Sequence, residues 1–211
     1  MIIHNQPVAQ AGLPLDKASK AVIMLHGRGD RADNFLPLSQ ELPQQDTVFL
    51  ALQAIHNTWY PYSFMAPVEK NEPQLSLSLS AIHELVDNLE GLGFSSSQLY
   101  FLGFSQGACL SLEYSARYAR PYGGIIALTG GLLGETIDVS NYQGDFEQTP
   151  IFIGSSDHDP HVPEKRIDES EVILQGMKAH VLKKIYPGLG HSINEDELHI
   201  AHQLLMNSKF G

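Results

Sequence analysis

The sequence predicts an α/β protein built on a mostly parallel, twisted sheet with helices on both faces. Short apolar runs alternate along the chain with longer amphipathic segments, the order that produces parallel strands joined by helices. Several of these runs are apolar throughout, as expected for strands that are covered on both sides. No repeat, charge block or low-complexity linker divides the chain, so we expect a single domain over residues 1–211.

The apolar runs predict six strands. The twenty residues before the first of these runs are expected to add one or two antiparallel strands at the edge of the sheet. Because loops at the carboxyl ends of parallel strands meet at one edge, residues that follow the strands are expected to lie together. The predicted strands are Ala21 to Leu25, Thr47 to Leu50, Leu99 to Leu102, Gly124 to Leu128, Pro150 to Ile153 and Ala179 to Tyr186.

Amphipathic segments predict the helices. Apolar side chains recur at helical spacing from Leu75 to Leu89, and the glycines that follow are expected to end that helix. A later helix is predicted to contain Pro163 in its first turn, where the missing proline N–H costs nothing. The last helix is predicted to run from Asn194, whose side chain can form a cap with Glu197 three residues on.

The composition excludes several classes of function. With a formal net charge of -11, the chain would repel nucleic-acid phosphates and anionic membrane surfaces, so we expect no nucleic-acid partner and no membrane insertion. The single cysteine, Cys109, excludes an intrachain disulfide and fits a reducing compartment. The sequence starts without a basic leader before an apolar segment, and no apolar stretch approaches about 18 residues. We therefore expect a cytoplasmic protein.

The segment Gly103-Phe104-Ser105-Gln106-Gly107 lies between the third predicted strand and a stretch of helical spacing that begins at Ala108. A serine at a sharp strand-to-helix turn presents its hydroxyl as a nucleophile. Glycines two residues to either side let the strand and the helix approach each other closely. The segment therefore predicts Ser105 as a nucleophile.

Acidic residues and a histidine follow two later strands. Asp157 and Asp159 come after the fifth predicted strand, and His191 lies on a glycine-rich turn after the sixth. A serine nucleophile needs an imidazole to accept its proton and a carboxylate to orient that imidazole. The chain order serine, acid, histidine is that of an α/β-hydrolase. Asp157 and Asp159 point the same way on an extended segment, and the stiffening effect of Pro160 favours Asp159.

The turn from His26 to Asp30 follows the first core strand. Its two glycines allow a tight turn that can aim a backbone N–H into a cleft, as an oxyanion hole requires. A glycine-rich turn after a strand is also common without any function, so this segment alone leaves both interpretations open.

Two groups of side chains could instead be metal ligands. Imidazole and carboxylate together suit zinc or iron. A histidine pair one turn apart on an amphipathic helix is more often solvated surface, so we expect no metal and no cofactor. Cys109 is expected to be a small buried apolar residue. The two groups are Asp157, His158, Asp159 and His161 after the fifth strand, and His199 and His202 in the last helix.

Five segments of the chain resemble the phospholipase/carboxylesterase family of α/β-hydrolases, which are relatives of acyl-protein thioesterases. The resemblance implies Ser105 as nucleophile, Asp159 as acid and His191 as base. It also implies that the backbone N–H groups of Arg28 and Gln106 form the oxyanion hole. The segments, which appear in the family's order from about Ala21 onward, are Leu25 to Gly29, Asn57 to Pro61, Gly103 to Gly107, Asp159 to Pro163 and Gly190 to Ile193.

The family's substrates are carboxylic esters, sometimes thioesters or lysophospholipids, and the resemblance is compatible with a homodimer. No connection between predicted strands is long enough for a large helical lid, so we expect an open pocket that takes small or medium acyl chains. The pocket is expected to involve His26, Gly27, Trp59, Tyr60 and Leu132, with Tyr62, Phe64 and Leu133 beside them.

The sequence therefore predicts a carboxylesterase that forms an acyl-enzyme on Ser105. Three rivals stay open at this point. They are a thioesterase or lysophospholipase that uses the same three residues, a metal-dependent hydrolase, and a binding protein that keeps the hydrolase fold without its chemistry.

Overall fold

A seven-stranded sheet forms the centre of the protein, and a two-stranded ribbon precedes it. The structure, a computed structural model, describes residues 1–207. Numbered along the chain, the strands are β1 (Ile2–Ile3), β2 (Gln6–Pro7), β3 (Ala9–Gly12), β4 (Lys20–Leu25), β5 (Thr47–Leu52), β6 (Leu99–Phe104), β7 (Gly124–Leu128), β8 (Pro150–Ser156) and β9 (His180–Tyr186).

The order of the strands in the sheet is β3-β5-β4-β6-β7-β8-β9. β3 runs antiparallel to β5 at one edge, and the other neighbours are parallel. β1 and β2 pair with each other, so β3 is the part of the first twenty residues that extends the sheet. The carboxyl ends of β4 to β9 therefore face one edge of the sheet, as predicted.

Helices cover both faces of the sheet, which confirms the predicted fold class. Ile23 of β4 and Phe101 of β6 belong to one core, which also contains apolar side chains of α2, α3 and α4. Met24 and Leu102, the next residues of the same strands, point into a second core with α1 and α5. The helices are α1 (Ala32–Phe35), α2 (Gln74–Gly91), α3 (Gln106–Arg117), α4 (Glu164–Gly176) and α5 (Glu195–Asn207).

The start of α5 has the predicted cap. The Asn194 side-chain oxygen accepts the Glu197 backbone N–H at 2.9 Å, and Glu197 Oε2 accepts the Asn194 N–H at 2.9 Å. This reciprocal pair satisfies two backbone donors that a helix start otherwise leaves free. The cap fixes the position of α5 directly after the loop that carries His191.

The prediction for Pro163 is wrong in detail. Its backbone is extended, with φ -63° and ψ 137°, so it precedes α4 and does not lie in the first turn. The Pro163 carbonyl accepts the Arg166 N–H at 2.9 Å, and this bond closes the first turn from outside the helix. β5, β6 and β8 run two or three residues further than predicted because their ladders with neighbouring strands continue.

The long connections at 53–73 and 129–149 contain only short 3-10 turns, Ile55–Asn57, Val68–Asn71 and Val139–Asn141. Within residues 1–207, neither connection carries a helical lid over the carboxyl edge of the sheet. In the same part of the chain, no helix combines the length and the apolar character needed to cross a bilayer.

Candidate active site

Ser105 lies at the junction between β6 and α3 in a strained conformation, with φ 54° and ψ -118°. A Cβ atom on Gly103 would collide with the Gly107 carbonyl, and one on Gly107 would collide with the carbonyl oxygen of Leu25. Both glycines are thus required by close approach of backbones. The Ser105 N–H donates to the Leu128 carbonyl at 2.9 Å, which anchors the turn to β7. The sequence motif therefore forms the predicted sharp turn.

Ser105, His191 and Asp159 are joined by hydrogen bonds. His191 Nε2 lies 2.8 Å from Ser105 Oγ, and His191 Nδ1 lies 2.7 Å from Asp159 Oδ2. The Asp159 side chain is fully buried, whereas the His191 side chain keeps 21% of its surface exposed. Such a chain can move a proton from a hydroxyl to an imidazole while the carboxylate fixes the ring.

The structure places Asp159, and not Asp157, against His191. Asp159 Oδ1 accepts the backbone N–H groups of His161 at 2.7 Å and Val162 at 2.9 Å, so both of its oxygens are used. Asp157 points to the other side of the loop, where it pairs with His158 at 2.7 Å and accepts the Gly188 N–H at 2.8 Å. The Gly188 N–H, and then the His158 imidazole, hold the pKa of the Asp157 carboxyl below its usual range.

The loop that carries His191 is anchored to the end of β8 by hydrogen bonds. Ser156 Oγ accepts the Gly190 N–H at 3.0 Å, beside the bond between Asp157 and Gly188. Gly188 and Gly190 have φ of 68° and 71°, a backbone region that favours glycine. These bonds fix the position of His191 next to Ser105.

Arg28 lies on the turn after β4 and Gln106 directly follows Ser105, and each carries a backbone N–H group next to the cavity. Neither group has a hydrogen-bond partner among residues 1–207, and both residues line the cavity beside the serine. The turn after β4, which carries Arg28, is fixed by Gly29. The Gly29 N–H donates to the Asn57 carbonyl at 2.7 Å, and the φ angle of Gly29 is 80°. Unpaired N–H groups beside a nucleophile can bind the oxygen of a tetrahedral intermediate.

The side chains of Arg28 and Gln106 hold the adjacent loop, residues 58–62. Gln106 Oε1 accepts the Trp59 N–H at 2.9 Å, and Gln106 Nε2 donates to the Tyr60 carbonyl at 2.7 Å. The Arg28 guanidinium donates to the Pro61 carbonyl at 2.8 Å and also to the Tyr62 carbonyl. The sequence does not indicate this role, because the motifs point only to the backbone of these two residues.

Two of the predicted pocket residues, His26 and Trp59, lie under the cavity and not in its wall. His26 is fully buried, and its Nε2 accepts the Ala54 N–H at 3.2 Å while its Nδ1 lies 2.7 Å from the Gly27 carbonyl. Burial lowers the pKa of the His26 imidazole, which favours the neutral ring that this pattern requires. Trp59 Nε1 donates to the His26 carbonyl at 2.8 Å. Both residues support the turn that carries Arg28.

The prediction that Leu132 lines the pocket is also wrong. Leu132 is fully buried, its N–H donates to Ser170 Oγ at 2.9 Å, and its carbonyl accepts from Arg166 at 3.0 Å. The buried Arg166 also binds the Gly134 carbonyl at 2.7 Å. These bonds draw the segment toward α4, where Leu132 and Leu133 join the core.

A cavity of about 650 Å³ opens beside Ser105. Gly27 and Tyr60 line it as predicted, together with Tyr62 and Phe64. Phe104 directly precedes Ser105, and His161 and Val162 lie in the segment Asp159 to Pro163 that resembles the family, so these positions were the available signal. The lining residues that the sequence analysis missed are Asp30, Pro61, Ser63, Phe104, Cys109, His161 and Val162.

Cys109 and Tyr60 form a neutral, buried part of the cavity wall. The thiol lies one turn after Ser105 in α3, and its sulfur is 3.5 Å from the donating Gly131 N–H. Burial raises the pKa of the Cys109 thiol to about 11 and raises that of the Tyr60 hydroxyl well above its usual range. Cys109 is the small buried residue that was predicted.

The two groups of side chains that were considered as alternative metal ligands do not lie together in the described part of the chain. Within residues 1–207, no three His, Cys, Asp or Glu side chains lie close enough to hold a metal ion. His158 pairs with Asp157, and His199 lies 3.0 Å from the Gln203 side chain.

Comparison with known proteins gives consistent matches. A sequence profile of the phospholipase/carboxylesterase family matches residues 8–208. Acyl-protein thioesterase 1 of Saccharomyces cerevisiae is 30% identical in an alignment 209 residues long, gaps included, that covers 87% of this chain and 90% of the yeast protein. The carboxylesterase SOBER1 of Arabidopsis thaliana is 24% identical in an alignment 196 residues long, gaps included, that covers 84% of this chain and 85% of the plant protein.

A solved structure agrees along almost its whole length. The crystal structure of a phospholipase/carboxylesterase from Dyadobacter fermentans has 47% sequence identity and a TM-score of 0.94, covering 98% of this chain and 99% of the other. Fold, motif order and sequence similarity thus agree. The chain belongs to the phospholipase/carboxylesterase family and is a hydrolase of the carboxylesterase or thioesterase type.

Proposed function

We propose that the protein hydrolyses carboxylic esters of small to medium acyl chains through an acyl-enzyme on Ser105. The observation that carries this proposal is the hydrogen-bonded chain Ser105–His191–Asp159 at the edge of the cavity. A serine hydroxyl is a weak nucleophile by itself, and an imidazole within hydrogen-bond distance is what activates it.

In the acylation half, His191 Nε2 accepts the proton of Ser105 Oγ while the oxygen attacks the ester carbonyl. The buried Asp159 carboxylate holds the ring and stabilises its positive charge. The backbone N–H groups of Arg28 and Gln106 bind the oxyanion that develops on the carbonyl oxygen. The C–O bond to the alcohol then breaks, and the alcohol leaves with the proton from His191.

In the deacylation half, water takes the place of the alcohol. His191 accepts a proton from this water, and the resulting hydroxide attacks the acyl carbonyl. The bond to Ser105 Oγ breaks, and the serine recovers its proton from His191. The products are the carboxylic acid and the free enzyme, so no cofactor is consumed.

The shape of the cavity supports small to medium acyl chains. Its volume of about 650 Å³ lies in the range of roughly 300–1,000 Å³ that is usual for small-molecule sites. Tyr60, Phe64 and Cys109 supply neutral, largely apolar surface to it. Such walls suit a hydrocarbon chain, because the chain buries its apolar surface against them and no charged group is left unpaired.

A thioesterase activity is the second candidate, because the yeast relative carries that name. A lysophospholipase is favoured less. Arg28 is the cationic residue of the described cavity lining, and its guanidinium already binds backbone carbonyls, which leaves it poorly placed for a phosphate. The cytoplasmic location, the single domain and the homodimer stay predictions of the sequence.

The experiment compares 4-nitrophenyl esters of increasing acyl length with thioesters of the same acyl groups, using wild type and Ser105→Ala. We expect kcat/KM to be highest for short or medium esters and to vanish in the variant. A consistent preference for thioesters would favour the second candidate. If a fluorophosphonate probe leaves wild-type Ser105 unlabelled, the protein is a binding protein with a hydrolase fold.

A further inference from the structure

The proposed chemistry fixes on which side of Ser105 the alcohol of the ester must lie. His191 has to return the serine proton to the departing alcohol oxygen, so that oxygen must lie within hydrogen-bond distance of Nε2. The alcohol portion therefore lies beside the His191 ring. The acyl portion extends away from it, toward the part of the cavity that includes Tyr60 and Cys109.

Two lining rings stand next to His191. The Phe104 ring is 5.1 Å away between centroids and tilted, and the His161 ring is 4.9 Å away in an edge-on arrangement. Phe104 offers only apolar surface to the alcohol. His161 is the neighbour that can also make a hydrogen bond there.

His161 has a fixed backbone and a free side chain. Its backbone N–H donates to Asp159 Oδ1 at 2.7 Å, so the position of the residue is tied to the carboxylate that orients His191. Its imidazole is exposed at the cavity, and neither ring nitrogen has a hydrogen-bond partner within residues 1–207. A neutral imidazole carries one N–H donor and one acceptor, which suits a hydroxyl.

We propose that His161 binds the alcohol portion of the ester and makes the enzyme prefer alcohols that carry a hydroxyl close to the ester oxygen. This inference rests on the proposed ester hydrolysis at Ser105. It adds a specificity-determining residue on the alcohol side, separate from the acyl side.

The charges around the cavity favour a neutral alcohol over an anionic one. The Arg28 guanidinium is occupied by the carbonyls of Pro61 and Tyr62, and Asp30 adds a carboxylate to the lining. The net charge of -11 also repels anions. A hydroxyl needs no counter-charge, and His161 alone can satisfy it.

The test uses two esters that differ only at the last atom of the alcohol, 2-hydroxyethyl butyrate and propyl butyrate. Both give the same butyryl-enzyme, so the ratio of their kcat/KM values reports the alcohol site alone. We expect wild type to prefer the hydroxyethyl ester by about tenfold, the worth of one good hydrogen bond. His161→Leu should abolish this preference, and His161→Gln, which keeps an N–H donor, should retain part of it. His202→Leu, an exposed histidine of α5, is the control and should keep the wild-type ratio.

A second measurement separates recognition of the alcohol from support of His191. The deacylation rate constant, taken from the steady state after a burst with 4-nitrophenyl butyrate, involves no alcohol. It should stay within about twofold of wild type in His161→Leu, because the alcohol has already left. Deacylation slowed as much as acylation, or an unchanged ester ratio in His161→Leu, would overturn the role of His161. Absence of any burst in wild type would overturn the acyl-enzyme itself, and with it this inference.

Discussion

The two sides of the cavity are held by different kinds of contact. The arginine side, residues 26–29, 58–62 and Gln106, is tied by buried side chains of His26, Trp59 and Gln106. The histidine side, residues 156–162 and 187–191, is more exposed, and its second segment hangs from Ser156 and Asp157 by backbone N–H groups of glycines. The arginine side is therefore part of the folded core, whereas in the proposed reaction the histidine side transfers the proton.

The largest expected effect is a loss of activity when His191, on the histidine side, is replaced. His191→Ala should lower kcat by roughly 10⁶ and leave the free energy of unfolding nearly unchanged, because the ring is partly exposed and its loop keeps its backbone bonds. The double variant with Ser105→Ala should be no less active than either single one, since the residues act as a unit. Activity on a short ester and thermal melting measure both. A large loss of stability would show that the histidine side also belongs to the core.

The next effect compares two carboxylates two residues apart. Asp159→Asn should lower kcat on the order of 10⁴, because an amide fails to hold the required His191 tautomer. Asp157→Asn keeps an oxygen that can accept the Gly188 N–H, so we expect a loss of less than about tenfold. Steady-state kinetics of the two variants provide a matched pair. The reverse ranking would make Asp157 the acid.

On the arginine side, the expected loss is in stability. Gln106→Ala leaves the buried Trp59 N–H without its partner and removes one of the two donors of the Tyr60 carbonyl, which keeps the Thr58 hydroxyl. We expect the free energy of unfolding to fall by about 3 kcal/mol, with activity falling as the loop loosens. The control is Gln175→Ala on the exposed face of α4, which should change stability by less than about 0.5 kcal/mol. Equal stability of the two variants in urea unfolding would refute the buried tether.

The smallest expected effect concerns Glu197, a carboxyl near the histidine side whose pKa is strongly raised. Glu197 is fully buried, and its Oε1 has no hydrogen-bond partner within residues 1–207. Burial raises the pKa of this carboxyl from 4.5 to about 7. The native state therefore holds a proton that the unfolded chain releases, so stability is full below pH 4.5 and falls as the pH rises to about 7.

Replacing Glu197 by Gln removes this ionisation. The amide oxygen can still accept the Asn194 N–H, so the variant should match wild type at pH 4. At pH 8 it should be more stable by about 2 kcal/mol, as measured by urea unfolding at both values. Glu195→Gln, exposed in the same helix turn, controls for loss of a carboxylate at a helix start. A variant less stable than wild type at pH 8 would show that the ionised carboxylate is favourable.

Sequence patterns predicted the parts of this protein that depend on local rules. Strand and helix positions follow from the period of apolar residues, and the sharp turn at Ser105 follows from glycines that no other residue can replace. The sequence favoured Asp159 over Asp157, and the structure adds which way each carboxylate points across the loop.

The walls of the cavity were predicted less well, because packing between distant segments decides them. Trp59 and Tyr60 are adjacent, yet the bond from Trp59 Nε1 to His26 turns the indole under the cavity while Tyr60 faces it. Leu132 is drawn away by Arg166, a partner 34 residues distant in the chain. No periodic pattern in the sequence predicts either hydrogen bond. The contact between the His161 and His191 rings is likewise not predictable from the sequence, because it depends on how the two loops pack.

The proposed function requires an acyl-enzyme on Ser105. Its most direct test is rapid acid quenching of wild type during turnover of 4-nitrophenyl butyrate, followed by mass spectrometry of the intact chain and its peptides. We expect a butyryl group on the peptide that contains Ser105 and none in Ser105→Ala. Turnover with an unmodified chain, or with the butyryl group on another residue, would contradict it.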